Sequence, residues 1–303
     1  MFFADSAMTT SSGLLLIDKP GALTSHDVVA RVRKLFDERR VGHAGTLDPM
    51  ATGLLVVAVG TSTRLLRFAQ AQVKRYTGEV RWGVATDSLD ADGVVISQAP
   101  IPRVDLEQIN AVAASMLGPQ SQVPPMVSAL KVGGRRLHEL ARQGLEVERS
   151  PRQIEVERFV LTSTPSPDRW AFDVTCSVGT YVRVLLSDLS EKMGTVGHLT
   201  ALRRISSGSH QVHDARTLDE LAALEDVRLA LEPPSHLVDG LELAVLDGAQ
   251  VAKMRVGQRV ALAQSFVGEE IAAVDDAGAL VGVLRRRDDL WKPEIVMVEA
   301  RGQ

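Results

Sequence analysis

Two periodicities of apolar and polar positions alternate along this chain, one typical of strands and the other of helices. The apolar run LLLID at residues 14–18 predicts a strand, and helical spacing predicts a helix behind it, capped by Thr24 or Ser25. The apolar face of this helix consists of Val28, Val29, Val32, Leu35 and Phe36. The run LLVVAVG at 54–60 predicts a short buried strand, followed by a helix over about 62–71.

The middle of the chain continues this mixture. Alternation predicts strands in YTGEVRWGV, RQIEVERFVLT, WAFDVTCSVG and LRRISSGSH, and helical spacing predicts helices in YVRVLLSDLSEKMG and TLDELAAL. Asp105 caps a further predicted helix, and the segment 123–144 begins extended at its paired prolines and ends as a basic helix at Gly144. Single helices between strands, without a regular βαβ rhythm or a GxGxxG loop, predict an α+β fold with a mixed sheet.

The end of the chain has a different pattern. Two prolines and a glycine interrupt it at EPPSHLVDG, residues 232–240, and short strands are predicted beyond in LELAVL, QRVALA, EEIAAVDDAGALVGVLRR and EIVMVEA. Such a run suits a small β-barrel or sandwich. We therefore expect a flexible N-terminus at 1–12, a main domain at 13–235 and a small β domain at 236–303.

Composition and charge narrow the classes of protein. The 303 residues are 45% hydrophobic and 24% charged, with no apolar run long enough to cross a bilayer and no basic leader, so a cytoplasmic globular protein without membrane contact is expected. The net charge of -4 argues against nucleic acid, but basic residues cluster at 74–76, 131–142 and 201–204. These clusters predict either a local basic groove or a set of solvated faces.

Metal and thiol chemistry are not expected. Cys176 is the single cysteine and lies in an alternating run, which predicts a packed, inert thiol rather than a disulfide or a zinc ligand. The seven histidines show no HExxH pattern. We expect neither a metal site nor a cofactor.

Asp48 is the most prominent candidate for chemistry, because it lies in the glycine-punctuated loop GHAGTLDPMATGLL, residues 42–55. Taken alone, Asp48 before Pro49 indicates an Asp-Pro turn. The loop is accompanied, in order, by GLLLIDKP at 13–20, KRYTGEVRWG at 74–83, DSLDADG at 87–93 and GTYVRVLLSDL at 179–189. Together these blocks, spanning about residues 13–208, resemble the TruB family of tRNA pseudouridine synthases.

The resemblance implies a fold, an activity and a partner. It implies the pseudouridine synthase fold, a mainly antiparallel sheet with flanking helices, followed by an RNA-binding PUA domain that the block RVGQRV at 255–260 supports. It also implies that uridine 55 in the TψC loop of tRNA is isomerised without a cofactor, by a monomer that needs no protein partner.

The same resemblance implies roles for particular residues. Asp48 is the catalyst, which attacks the base, attacks C1′ of the ribose or takes a proton from C2′; the sequence leaves these routes open. Arg183 is the arginine that pairs with it, unless it forms an ordinary structural ion pair. Tyr76 stacks on the uracil, unless it is a core aromatic, and Leu202 belongs to the same pocket, although its spacing alone indicates core. His43 fills the gap left by a flipped base or bonds to backbone.

Eight basic residues are candidates for phosphate contacts: Lys19, Arg64, Lys74, Arg75, Lys131, Arg142, Arg203 and Arg204. Two positions depart from the family's usual pattern, since Val127 replaces a common Tyr or His and Thr46 a frequent alanine. A non-catalytic tRNA-binding or tRNA-folding protein on the same scaffold is the alternative. A glycosidase-like or phosphoryl-transfer enzyme is disfavoured, because no second paired carboxylate, P-loop or metal cluster accompanies Asp48.

Overall fold

The computed structural model describes residues 11–128, 130–132, 134–137, 140 and 143–297. The first part of the chain forms, in order, β1 (Gly13–Lys19), α1 (Ser25–Phe36), β2 (Val41–His43), β3 (Thr52–Val59), a 3-10 helix (Gly60–Leu65), α2 (Leu66–Gln70), β4 (Lys74–Trp82), β5 (Val84–Thr86), β6 (Val95–Gln98), α3 (Leu106–Ala114), β7 (Gly118–Gln122), β8 (Lys131–Val132) and β9 (Arg135–Arg136).

The second part continues with longer strands and then a smaller sheet. It forms β10 (Arg152–Ser163), β11 (Arg169–Cys176), α4 (Val182–Lys192), β12 (Gly197–Ser207), β13 (His210–Gln211), α5 (Leu218–Ala222), β14 (Glu242–Val245), α6 (Gly248–Arg255), β15 (Glu270–Val274), β16 (Leu280–Arg287) and β17 (Leu290–Val296), with 3-10 helices at Val212–Asp214, Val227–Ala230 and Pro234–Val238.

Nine strands form the main sheet, in the order β1-β3-β12-β4-β11-β10-β7, with β2 paired to β3 and β13 to β12. Every pairing within it is antiparallel except that between β3 and β12. At this parallel contact Gly53 adopts a φ of +99°, and a Cβ there would lie 2.3 Å from the carbonyl oxygen of Arg204. Only glycine lets β3 and β12 approach this closely. The predicted α+β fold with a mixed, mainly antiparallel sheet is confirmed.

Helices cover this sheet with the apolar faces that their spacing predicts. Helix α1 begins at a capping box formed by Thr24 and Asp27, and buries its valines and Phe36 against β1 and β3. Helix α3 begins at a capping box formed by Asp105 and Gln108, and it shares one core with α4 and the central strands. The helix expected over 62–71 is instead split into a 3-10 turn and the short α2.

The C-terminal part is an open four-stranded sheet in the order β14-β15-β16-β17, not a closed barrel, within the described residues. Sequence reasoning missed α6, whose capping box of Asp247 and Gln250 was visible in the sequence. The strand expected in QRVALA is absent from the described structure, where Val260 makes only an isolated bridge to Trp291. The turn at Gly257, with a φ of +75°, follows α6 directly and precedes this segment.

The predicted domain boundary is a packed segment. Leu237 and Val238, in the 3-10 helix, are buried among residues of β1, β3 and the C-terminal sheet. The Arg64 guanidinium donates to the Val296 carbonyl at 2.8 Å, and Arg67 pairs with Glu270 at 2.7 Å. A shared core and these polar contacts join the two predicted domains. The boundary between residues 235 and 236 therefore stays a prediction.

Some expectations concern the edges of the described chain. Residues 1–10 of the predicted flexible N-terminus lie outside the described residues, whereas the hydroxyl of Ser12 is bonded to those of Thr61 and Ser62 at 2.8 Å. Much of the basic helix expected before Gly144 also lies outside them, and the segment contains the β8–β9 hairpin.

Cys176 is buried in β11, and this burial raises the pKa of its thiol to about 11. Among the described residues, no helix is both long and apolar enough to cross a membrane. No group of three or more metal-binding side chains of the kinds His, Cys, Asp or Glu occurs in the part of the chain that the structure describes.

Candidate active site

Asp48 lies in the loop between β2 and β3, and neighbouring elements fix this loop in place. Ser25, at the start of α1, accepts a hydrogen bond from the Leu47 amide at 2.9 Å, and its hydroxyl donates to the Leu47 carbonyl at 3.2 Å. The amide of Ala51 donates to the Asp48 carbonyl at 3.1 Å and closes a turn. The Asp48 side chain keeps 32% of its surface accessible, although neighbouring atoms enclose most of the carboxylate.

Arg183, in the first turn of α4, reaches this carboxylate from 135 residues further along the chain. Its Nε lies 2.9 Å from Oδ2 of Asp48, and its Nη2 lies 3.2 Å from Oδ1. The Arg183 side chain is only 3% exposed. A buried guanidinium that grips both oxygens of a carboxylate fixes its direction as well as its charge.

A second carboxylate, that of Asp90, shares the same guanidinium. Nη1 of Arg183 lies 3.2 Å from Oδ2 of Asp90 and donates to the Ser88 carbonyl at 2.7 Å. Nη2 also donates to the Val127 carbonyl at 3.0 Å, a contact that does not depend on the side chain at that position. Sequence reasoning missed Asp90 and Ser88, although both lie in DSLDADG, one of the blocks that carry the resemblance.

Asp48 and Arg183, but not Ser88 or Asp90, border a cavity of about 310 Å³. Asp48 and Arg183 lie in its wall together with Tyr76 from β4 and Leu202 from β12, two strands that pair side by side. The remaining wall comes from residues 45–47, Gln70, Lys74, Ser128, 177–182 and Arg204. The structure therefore brings Asp48, Arg183, Tyr76 and Leu202 together in the wall of one cavity.

Opposing effects set the protonation of the site. Burial raises the pKa of Asp48 above its ordinary value, while the Arg183 guanidinium lowers it, Asp90 raises it further and Lys19 lowers it. Burial therefore has a larger effect on the pKa of Asp48 than the Arg183 guanidinium does. Burial likewise raises the pKa of Tyr76, which keeps its phenol protonated.

Comparison with known proteins decides the family. The profile described as TruB family pseudouridylate synthase (N terminal domain) matches residues 33–182. The chain is 39% identical over 292 residues to tRNA pseudouridine synthase B of Streptococcus pneumoniae serotype 4, covering 94% of this chain and 99% of that protein. This chain belongs to the TruB family of pseudouridylate synthases. It is therefore an enzyme of the isomerase class.

A second relative agrees with this assignment, and a solved structure shares the fold. The chain is 47% identical over 212 residues to tRNA pseudouridine synthase B of Opitutus terrae, covering 70% of this chain and 88% of that one. The crystal structure of a Cbf5-Nop10-Gar1 complex contains a chain with a TM-score of 0.74 and 23% identity, covering 95% of this chain and 85% of that chain. At this identity the likeness shows the fold alone, which is that of a pseudouridine synthase.

His43, which the TruB resemblance places near the flipped base, lies outside the lining of the cavity. Its ring makes an edge contact with the ring of His26, with 5.7 Å between centroids. Burial, with the neighbouring His26 as the next cause, lowers the pKa of His43 to about 4. At neutral pH, His43 is thus a neutral side chain at the end of β2, next to the loop that carries Asp48.

Three of the eight candidate phosphate ligands, Lys19, Lys74 and Arg204, are buried, whereas a basic groove and a set of solvated faces would both expose them. Lys19 is fully buried and its Nζ donates to the carbonyls of Pro20, Leu23 and Pro49. Lys74 donates to two carbonyls of the segment before it, although it also borders the cavity. Arg204 donates to the carbonyls of residues 54 and 45. Burial lowers the pKa of each of the two lysines to about 8.

The other candidates are nearer the surface. Arg75 pairs with Asp173 at 2.5 Å, Arg203 pairs with Asp18 at 2.6 Å, and Arg64 donates to the backbone of β17. Such exposed ion pairs are worth about 0–1 kcal/mol. The side chain of Lys131 and all of Arg142 lie outside the described residues. Phosphate contacts by these residues stay a prediction.

Proposed function

We propose that this chain converts uridine 55 of the TψC loop of tRNA to pseudouridine, with Asp48 as the catalyst and without a cofactor. Membership of the TruB family supports pseudouridine formation, and the relatives named tRNA pseudouridine synthase B support tRNA as the substrate. One observation carries the proposal: Arg183 pairs with the carboxylate of Asp48 in the wall of a cavity. Tyr76 and Leu202 border the same cavity.

The proposed chemistry balances without any other reagent. The bond between N1 of the base and C1′ breaks, the uracil rotates, and a bond between C5 and C1′ forms. C5 loses its proton and N1 gains one, so substrate and product are isomers. Asp48 starts this sequence by attacking the base, by attacking C1′ or by removing a proton from C2′, and each route uses the ionised carboxylate that Arg183 favours.

The cavity suits a base that has left the stack of the tRNA loop. Unstacking costs a few kcal/mol, and stacking on an aromatic ring returns about 1–3 kcal/mol. Tyr76 offers that ring from β4, and Leu202 offers an apolar surface from the neighbouring strand. His43 lies close to the loop that carries Asp48, and we propose that its neutral ring contacts the bases next to the flipped uridine.

The C-terminal sheet is proposed to bind RNA away from the cavity, as the resemblance to a PUA domain implies. Exposed cations on α6, β16 and β17 support this role: Lys253, Arg255, Arg287 and Lys292. Each phosphate contact that they make adds about one unit to the slope of log affinity against log salt concentration.

The deciding experiment maps pseudouridine in an unmodified tRNA transcript after incubation with the wild type, with Asp48→Asn and with Asp289→Asn, a matched control at an exposed position. Binding of the same tRNA is measured in parallel. A transcript with cytidine at position 55 serves as the substrate control.

We expect pseudouridine at position 55 with the wild type and with Asp289→Asn, none with Asp48→Asn, and unchanged binding in all three. Pseudouridine at another position would contradict the proposed substrate. A wild type that binds tRNA without forming pseudouridine would support the non-catalytic alternative. An active Asp48→Asn would show that another group is the catalyst.

A further inference from the structure

We infer that Ser88 is a positioning residue for the reaction, which acts on Asp48 through Asp90 and Arg183. The inference rests on the proposed function, in which Asp48 is the catalyst. Ser88 lies outside the cavity lining, so it does not touch the substrate. Its influence passes through the two side chains between it and the reacting atoms.

Ser88 holds both partners of one ion pair at once. Its hydroxyl donates to Oδ1 of Asp90 at 2.5 Å, and its carbonyl accepts from Nη1 of Arg183 at 2.7 Å. The same Nη1 lies 3.2 Å from Oδ2 of Asp90. One residue therefore sets the distance and the angle between the carboxylate and the guanidinium.

This arrangement is buried, so bulk water does not replace a missing hydrogen bond. Ser88, Asp90 and Arg183 are each 6% exposed or less. Oδ1 of Asp90 accepts one other hydrogen bond, from the Asp92 amide at the longer distance of 3.2 Å. A hydrogen bond to a buried charge is worth more than one between neutral groups, and the hydroxyl of Ser88 makes the shorter of these two bonds.

The loop that carries Ser88 is held rigidly against the main sheet. Leu89 adopts a left-handed conformation, with a φ of 64°, and its carbonyl accepts from the amide of Leu199 in β12 at 3.0 Å. A Cβ on Gly93 would lie 2.2 Å from the hydroxyl oxygen of Ser88, so glycine there leaves the hydroxyl room. A strained residue kept in place by its surroundings is typical of segments whose geometry matters for function.

The path from Ser88 to the catalyst is short. Without the hydroxyl, Oδ1 of Asp90 keeps only the long hydrogen bond from the Asp92 amide among the described residues, while Oδ2 keeps its contact with Nη1 of Arg183. The angle between this carboxylate and the guanidinium is then less tightly fixed, and Nε and Nη2 of Arg183 meet the two oxygens of Asp48 in a wider range of geometries. Misplacing a catalytic group lowers the rate of the chemical step more than it weakens substrate binding.

The test measures kcat and KM for tRNA in Ser88→Ala, Ser88→Thr, Asp90→Asn and the double variant Ser88→Ala/Asp90→Asn, beside the wild type and Asp48→Asn. Ser97→Ala, at an exposed position on the nearby β6, is the matched control. Thermal unfolding of every variant is recorded. If Ser88→Ala does not fold, Ser88→Cys takes its place, because a thiol has a similar shape and donates only weakly.

We expect Ser88→Ala to lower kcat about 10- to 100-fold, the loss equivalent to one hydrogen bond to a charged group, with KM changed less than about threefold. Ser88→Thr keeps the hydroxyl, so its kcat should lie close to that of the wild type. The double variant Ser88→Ala/Asp90→Asn should have the same kcat as Asp90→Asn alone.

The inference would be overturned if Ser88→Ala lowered kcat by the same factor in the wild type and in Asp90→Asn. A Ser88→Ala variant with the kcat of the wild type would also overturn it. A rise in KM alone would assign Ser88 to RNA binding instead. These outcomes are distinct from failure of the proposed function, in which the wild type itself forms no pseudouridine at position 55.

Discussion

Replacing Arg183 by lysine tests whether the shape of the cation, beyond its charge, is what the site needs. Arg183→Lys keeps a positive charge in the same buried position. It replaces a planar fork with a point charge on a shorter, more flexible stem. The lysine still attracts the Asp48 carboxylate because its charge is also positive. It does not hold the carboxylate in one fixed geometry.

The structure indicates the size of the effect. The guanidinium meets both oxygens of Asp48 at 2.9 and 3.2 Å, Asp90 at 3.2 Å, and the carbonyls of residues 88 and 127 at 2.7 and 3.0 Å. An ammonium has three donors, so at least two of these acceptors lose their partner. A buried acceptor left unpaired costs about 1–3 kcal/mol. Removing one hydrogen bond from Asp48 lowers kcat by about 10- to 100-fold, while KM for tRNA stays within a few-fold.

The assay is tritium release from tRNA labelled at C5 of uridine, because pseudouridine formation expels the hydrogen from C5. Urea unfolding of the same preparations gives the stability. Arg103→Lys, at an exposed position, is the matched control and should behave as the wild type in both measurements. A kcat for Arg183→Lys within about threefold of the wild type would refute the reasoning, because charge alone would then suffice.

Two further predictions concern stability. Gly53→Ala should lower the free energy of unfolding by about 2–4 kcal/mol, because the new Cβ would lie 2.3 Å from a backbone carbonyl oxygen and the φ is positive. Gly248→Ala, which has open space around it, is the control and should not lower it. Equal urea midpoints for the two variants would contradict this prediction. The pKa of His43 is about 4 in the folded protein, below its ordinary value of 6.5. Between pH 6.5 and 4 the unfolded chain therefore binds more protons than the folded one, and the free energy of unfolding falls as the pH drops through this range. His43→Gln should therefore lose less stability between pH 6.5 and 4 than the wild type or the exposed control His213→Gln, and an unchanged loss would refute the assignment.

Much of the local structure was readable from the sequence. The helix start at Thr24 and that at Asp105 are both capping boxes, which depend on residues three positions apart. The six longest strands of the main sheet (β1, β3, β4, β10, β11 and β12) follow predicted apolar runs or predicted alternation, whereas the short β2 and β7 were not predicted. The α6 helix escaped prediction because its Asp247 box lies between short apolar runs that predict strands. The pattern of QRVALA predicts a strand, but its position just after a helix and turn leaves it a single bridge.

The candidate site was predictable only in part. Ordered blocks of sequence pointed to Asp48, Tyr76, Arg183 and Leu202, and the structure places all four around one cavity. Their roles stay proposals until the variants are measured. Asp90 escaped notice because nothing in its own block says which distant cation it meets.

The sequence by itself determined most of the element types, the mixed class of the fold and the family, because these depend on periodicity, capping and short blocks, each of which is local in the chain. Only the tertiary structure decided which charges meet and which are hidden. Lys19 looks like a surface cation in the sequence, yet it is fully buried, and burial lowers its pKa to about 8. Arg183 finds Asp48 across 135 residues because β3, β12 and α4 converge there. Burial and long-range contact depend on how the whole chain packs, and no local pattern encodes them.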